Sequence, residues 1–403
     1  MKILVLANAM STLSGGDKRF IEIFKRFKAQ GHSVKVMIPR IGYEICKNEN
    51  LNVSYQILPI RSENNLGPIL SNLLRLAIAN LVVIKNLRKQ SIVYSTSDFF
   101  NDTIPAIFLK SIDKKVKWIA SVYHIIPHPS RRPGKFSFSN FFSFIAQRMS
   151  LLLIARWSDM IQTEANFVRD ELMRRYRISP EKIIVCQSGI NPKVIDHFSW
   201  SQGKIYDACF LARLHKSKGI HDLIEAWQCL CKYKDAKLAI AGGGPIEIIN
   251  EVKIRIKNLG LENNVFYLGF LSEEEKYKLL RTSKLYVLPS YEEGIPIAFY
   301  EAMYCGLPIV TYYLPPYADI KDYILSVPLG AVHSLALEIL RVLEDDDLIH
   351  MLGERGRSLA KEHTWDRIAD YLISKLDKML SKENSIVKDF PNECSLSASH
   401  SFK

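Results

Sequence analysis

The chain has 403 residues, 48% of them hydrophobic and 24% charged, with a formal net charge of +12. That length exceeds one ordinary core and that composition is globular, so a single small domain, a disordered chain and a disulfide scaffold are excluded. No run of about 18 uncharged apolar residues occurs, which excludes a convincing membrane span.

The first predicted strand is Lys2–Ala7. Although Met1–Ala7 could imitate a short signal peptide, polar residues follow at once and no cleavage pattern appears. A loop with Gly15 and Gly16 comes next, then a helix through Phe20–Phe27 that ends at Gly31, and a strand at Val34–Ile38. This is a βαβ unit. Further strands are predicted at Ile92–Ser95, Trp118–Tyr123, Ile161–Thr163 and Ile183–Cys186. A connector from Gly189 to Gly203 precedes a second series at Tyr206–Leu211, Leu238–Ala241, Val265–Leu268, Leu285–Leu288 and Ile309–Thr311. Two alternating strand–helix series predict an α/β protein of two Rossmann-like doubly wound parallel-sheet domains. Their bounds are 1–190 and 204–362. The last helix, about 364–380, is expected to pack back on the first domain, and 381–403 to form a disordered polar tail.

Charge is uneven along the chain. Residues 1–190 hold 28 Lys/Arg against 13 Asp/Glu, and residues 191–403 hold 26 against 29. A basic first domain favours acidic lipid headgroups or an anionic acceptor, with a simple solubility bias as the plain alternative. Nucleic acid is disfavoured, because the basic residues are dispersed and no nucleic-acid motif accompanies them. Leu66–Leu87 and Phe138–Ile154 are strongly apolar helices. They serve either as core or, with Arg131, Arg132, Lys135 and Arg148 nearby, as a lipid-facing surface. Seven cysteines without framework spacing indicate a reducing cytoplasm. Cys229 and Cys231 read as a helix face rather than a metal clip. Asp345–Asp347 reads as a helix start rather than a cation site.

The segment Ser290–Gly306 is the most informative. Strand Leu285–Leu288 leads into an acidic turn, Pro296 suits a helix start, and Gly306 with Pro308 suits its end. Glu293 and Glu301 lie eight residues apart, about 80° past two helical turns, so two helical glutamates would not share a face. With Glu293 in the turn, Glu301 can lean back toward the helix mouth, where unpaired backbone N–H groups seat phosphate. Carboxylates beside an anion seat suit hydroxyl-rich parts of a ligand. Arg213 and Lys218 follow strand Tyr206–Leu211, where open sheets bind ligands, and suit phosphate oxygens. A solvated basic loop is the bland reading. Gly242–Gly244 permits close backbone approach or merely a turn. Gly15 and Gly16 lack the dinucleotide spacing but can cradle a phosphate at a helix mouth. His124, at a strand end, is either a structural histidine or a site residue.

These stretches, with Ile183–Asn191, Leu268–Phe270 and Gly353–Arg357, resemble the family-4 retaining glycosyltransferases of the GT-B fold over almost the whole chain. The resemblance implies two domains facing a cleft and a nucleoside-diphosphate-sugar donor, with no cofactor and no metal. It implies that Arg213 and Lys218 bind the donor diphosphate and Glu301 the ribose. Glu293 and the backbone after it (Gly294, Ile295, Pro296) would hold the sugar, Gly243 would border the donor, and Gly15, Gly16 and His124 would reach it from the acceptor side. Glu293, Arg213, Lys218 and His124 are the expected catalytic set, Glu293 as a positioning residue rather than a nucleophile. Retention, with attack from the leaving-group face, is the expected course. Tyr312–Tyr317 departs from the family's Gly-Gly turn, so donor contacts there do not carry over.

The leading expectation is a cytoplasmic, membrane-peripheral transferase acting on a lipid-linked (polyprenyl) or surface-glycan acceptor. A soluble transferase making a small glycoside or storage sugar, and a non-catalytic sugar-nucleotide-binding relative, are the alternatives. The missing fingerprint disfavours a nicotinamide dehydrogenase.

Overall fold

The computed structural model describes residues 1–60, 68–131, 138–198 and 203–388. Two all-parallel sheets dominate it. The first contains β1 (Lys2–Leu6), β2 (Ser33–Ile38), β3 (Ser54–Ile57), β4 (Ile92–Ser95), β5 (Lys117–Ser121), β6 (Met160–Thr163) and β7 (Ile183–Val185). Its order is β3-β2-β1-β4-β5-β6-β7. The second contains β8 (Tyr206–Leu211), β9 (Leu238–Ala241), β10 (Val265–Gly269), β11 (Ser283–Leu288), β12 (Ile309–Tyr312) and β13 (Leu325–Val327), in the order β10-β9-β8-β11-β12-β13. Each order reverses once, between β1 and β4 and between β8 and β11. Loops diverge to opposite faces there and leave a crevice at the strands' C-terminal ends.

Strand alternation divides the first domain's core into two layers. Ile3 and Val5 pack with Phe20, Phe24 and Phe27 of helix Gly15–Ala29, whereas Leu4 and Leu6 join Leu109, Trp118 and Ile154 on the other face. That first helix begins cleanly because Ser14 and Asp17 form a capping box.

The last helix runs over Trp365–Lys388, about two turns beyond its predicted end, so the first residues of the expected tail are helical. Residues 389–403 of that tail lie outside the described residues. Trp365, Ile368, Leu372 and Leu376 complete the core layer around Ile3 and Val5, and Gln30 Nε2 donates to Asp370 at 2.6 Å. Chain crossing is fixed just before this helix, where Trp365 N donates to the Ile190 carbonyl at 3.0 Å.

Helix Phe138–Trp157 is longer than predicted by three residues, and its apolar residues serve two purposes. Leu151 and Ile154 are core, while Phe142, Met149 and Leu152 are 67%, 55% and 59% exposed. Helical spacing places these three, with Ile145, on one outward stripe. Leu70, Leu73 and Leu81 of helix Pro68–Val83 are also exposed. Among the described residues, no helix is long and apolar enough to cross a membrane. Arg132 and Lys135 lie outside the described residues. Asp345 caps helix Asp346–Glu362 by accepting from the Leu348 amide, as its position predicts.

Candidate active site

The acidic turn follows β11 and feeds helix Ile297–Tyr304, with Pro296 immediately before it and Gly306, at φ +78°, just past its end. Gly306 N donates to the Met303 carbonyl at 2.9 Å, so the helix closes where the glycine permits a left-handed residue. Glu293 pairs with Lys218 Nζ and accepts from the Ser290 hydroxyl at 3.2 Å.

Lys218 reaches Glu293 because two loops lie almost in contact. A Cβ at Gly219, whose φ is +67°, would stand 1.9 Å from the Pro289 carbonyl oxygen. Tyr291 N also donates to the Ser217 carbonyl at 2.8 Å. Arg213 stands exposed beyond β8. Its loop leans on the glycine run, since Leu214 N donates to the Gly243 carbonyl at 2.8 Å and a Cβ at Gly242 would lie 1.8 Å from the Ala212 oxygen. The glycines thus serve loop-to-loop packing.

Glu301 has its own partners. Its carboxylate accepts from Lys276 Nζ at 2.7 Å and from the Tyr277 hydroxyl at 3.0 Å, both on helix Glu273–Thr282. It lines a cavity of about 220 Å³ with Lys18, Glu49, Tyr277 and Ile297. Glu293 and His124 instead line a cavity of about 530 Å³. The two glutamates thus line different cavities. The partners of Glu301 on the neighbouring helix are invisible to spacing arguments.

From the first domain, Gly15 and Gly16 open helix Gly15–Ala29. A Cβ at Gly15 would lie 4.0 Å from Ile297 Cδ1 across the cleft, and one at Gly16 would meet the Tyr123 ring at 2.9 Å. His124 lies three residues past β5, with Nε2 3.5 Å from Glu292 Oε1. Desolvation opposes its protonation, but the Glu292, Asp98 and Glu164 carboxylates outweigh that and raise its pKa. Leu314, Pro315 and Pro316, from the segment that departs from the family pattern, wall the same cavity. Tyr312 and Tyr291 meanwhile both donate to Asp222, at 2.7 and 2.6 Å.

Sequence reasoning passed over Glu164 and Glu292. Glu292 adjoins a chosen residue, and Glu164 follows β6 directly, so the strand-end criterion that selected His124 would have found it. It also missed the cross-cleft bond in which Asn166 N donates to Asp319 at 2.8 Å.

Two Rossmann-like domains meeting across such a cleft define the GT-B architecture. Over 94% of this chain and all of the other, it superposes on Anabaena HepE in complex with UDP and glucose, with a TM-score of 0.74 at 18% identity. Over 92% of this chain and 98% of the other, it superposes on WaaG, a glycosyltransferase involved in lipopolysaccharide biosynthesis, with a TM-score of 0.68 at 15% identity.

Residues 196–359 match the family model of the glycosyl transferases group 1. The chain is 26% identical over 233 residues to an uncharacterised glycosyltransferase of Methanocaldococcus jannaschii, covering 54% of this chain and 59% of that one. To the O-antigen chain mannosyltransferase B of Escherichia coli it is 24% identical over 230 residues, covering 53% and 59%. These matches span little more than half the length of either curated relative. Residues 196–359 are thus similar to the group 1 glycosyltransferases, and the chain is similar to these two relatives over about half its length.

Proposed function

We propose that the protein is a retaining glycosyltransferase that moves a sugar from a nucleoside-diphosphate sugar to a lipid-linked or surface-glycan acceptor at the cytoplasmic membrane face. The observation that carries the transferase reading is the Lys218–Glu293 pair, set between the loops after β8 and β11 where the second sheet reverses. A cation for phosphate and a carboxylate for hydroxyls stand side by side there, at the mouth of helix Ile297–Tyr304. Solved GT-B neighbours hold UDP and UDP-glucose, which supports a nucleotide-sugar donor.

In this reading Arg213, Lys218 and the helix mouth stabilise charge on the departing diphosphate. Glu301, with Lys276 and Tyr277, receives the ribose. Glu293 and the Gly294–Pro296 backbone hold the sugar, and His124 grips its hydroxyls from the opposite wall. The acceptor attacks from the leaving-group face, the C1–O bond to the diphosphate breaks as the new glycosidic bond forms, and the departing phosphate oxygen takes the acceptor's proton. No protein nucleophile takes part. Closure of the cleft would limit donor hydrolysis.

The membrane face is supported by the outward stripe Phe142, Ile145, Met149 and Leu152. Arg148, on the same helix, lines the larger cavity. An exposed apolar stripe on a helix suits an interface with lipid. That helix would present the cleft to a lipid-borne acceptor.

Thermal-shift screening of UDP-, GDP- and ADP-sugars should show one preferred donor by mass action. Turnover of that donor should fall at least about a hundredfold in Lys218→Ala and in Glu293→Ala, the scale of losing one preorganised charge. Undiminished turnover in both would refute the site.

A further inference from the structure

One buried carboxylate crosses the cleft. Glu164 follows β6 in the first domain, and its Oε1 accepts from the Ile295 amide of the second domain at 3.2 Å. It lies flush against the turn, for a Cβ at Gly294 would stand 1.6 Å from that oxygen. Its other oxygen is 3.8 Å from Arg19 NH1, beyond hydrogen-bonding distance. Arg19 spends its own donors on the Ser188 hydroxyl and the Cys186 carbonyl. Glu164 is thus 9% exposed, and among the described residues one donor, the Ile295 amide, lies within hydrogen-bonding distance. A carboxylate has room for several donors, so Glu164 can take more than this one.

The partner it does have belongs to the Gly294–Pro296 backbone that would hold the donor sugar, and this inference rests on that reading. A sugar hydroxyl both accepts and donates. Placed between Ile295 N–H and Glu164, it would accept from the amide and donate to the carboxylate, satisfying both groups at once. Water-sized substituents need only a short retreat of a flexible side chain, and the contact atoms at Gly294 are the far end of Glu164. We propose that Glu164 is the first domain's acceptor for a hydroxyl of the donor sugar, at the Ile295 amide. It is a positioning and specificity residue, and it ties sugar recognition to the approach of the two domains. Burial, only partly offset by Arg19, His124 and the Ile295 N–H, raises its pKa to about 7.

The test compares nucleotide with nucleotide sugar, because only the sugar reaches Glu164. Dissociation constants for UDP and UDP-glucose, GDP and GDP-mannose, and ADP and ADP-glucose are measured by calorimetry at pH 8 on wild type, Glu164→Ala and Glu164→Gln. For the pair that binds, Glu164→Ala should leave the nucleotide within about twofold and weaken the nucleotide sugar at least about tenfold, the scale of a hydrogen bond to a charged group. Glu164→Gln, which keeps an acceptor and a near-identical shape, should lose less and guards against misfolding. Equal weakening of nucleotide and nucleotide sugar would make Glu164 a structural buttress and overturn the proposal. Tighter sugar binding in Glu164→Ala would make it a mere competitor and overturn it too. Wild type that binds none of the three pairs refutes the donor reading, and this inference with it.

Discussion

Replacing Gly294 by Ala probes the cross-cleft contact through stability alone. Gly294 is not among the glycines with positive φ, so the added methyl brings no backbone strain. Its carbon would lie 1.6 Å from Glu164 Oε1 and 2.7 Å from Cδ. Reaching an ordinary contact of roughly 3.4 Å requires the carboxylate to withdraw by nearly 2 Å, on the scale of van der Waals separations. The 3.2 Å bond from Ile295 N cannot survive that movement. Leaving the amide and the carboxylate unpaired costs about 1–3 kcal/mol. Reduced freedom of the unfolded chain returns about 0.4–1 kcal/mol. The net is a destabilisation of about 0.5–2 kcal/mol. In a Glu164→Ala background the two close contacts, at 1.6 and 2.7 Å, are gone, and the same change should be neutral or slightly stabilising. Urea unfolding followed by tryptophan fluorescence on the four proteins of this cycle gives the coupling energy. About 1–3 kcal/mol is expected, because the unfolded-chain term cancels in the cycle, against about 0.3–0.5 for independent sites. Equal effects of Gly294→Ala in both backgrounds would refute the contact and the reasoning built on it.

Gly219→Ala should be costly for a different reason. Its φ of +67° is left-handed and its Cβ would lie 1.9 Å from the Pro289 oxygen, so calorimetry should show a loss of at least about 2 kcal/mol. Asp102 is fully buried, and desolvation, partly offset by the Ser97 hydroxyl and the Asn8 amide, raises its pKa from 3.8 to about 7. A carboxyl raised by folding binds its proton more tightly in the folded state, so its contribution is full below about pH 4 and is lost as pH rises through 7. That loss is on the order of 4 kcal/mol. Stability–pH curves from pH 4 to 7 should therefore flatten in Asp102→Asn, and parallel curves for variant and wild type would contradict the assignment. Paired Phe142→Glu and Leu152→Glu substitutions, at 67% and 59% exposed positions, should leave the melting midpoint within a degree or two. The same pair should reduce flotation with vesicles of phosphatidylglycerol and phosphatidylcholine at least tenfold; unchanged flotation would remove the stripe from the membrane reading.

Much of the fold was legible locally. Runs such as Ile92–Ser95 and Leu238–Ala241 are buried on both faces in parallel sheets, so they read as continuous apolar segments. The strands left unpredicted, β3 (Ser54–Ile57) and β13 (Leu325–Val327), are sheet edges, partly exposed and too polar or too short to show such a run. In the site, the turn bearing Glu293, the basic loop with Lys218 and the helix bounded by Pro296 and Gly306 were all visible, because turn and cap chemistry is written into neighbouring residues.

By itself, then, the sequence determined the two strand–helix series, the loops that carry charge to the strand ends, and the backbone breaks that shape them. Only the tertiary structure decided which side chains meet. Lys276 and Tyr277 meet Glu301 from a neighbouring helix. Glu164 arrives on the Ile295 amide from another domain, 131 residues away in the chain. Helix Phe138–Trp157 carries apolar residues on opposite sides, and only packing shows which side is left uncovered. Helical and strand periods act within a few residues. Partnership across a cleft depends on where two separately folded sheets come to rest, and no local pattern records that.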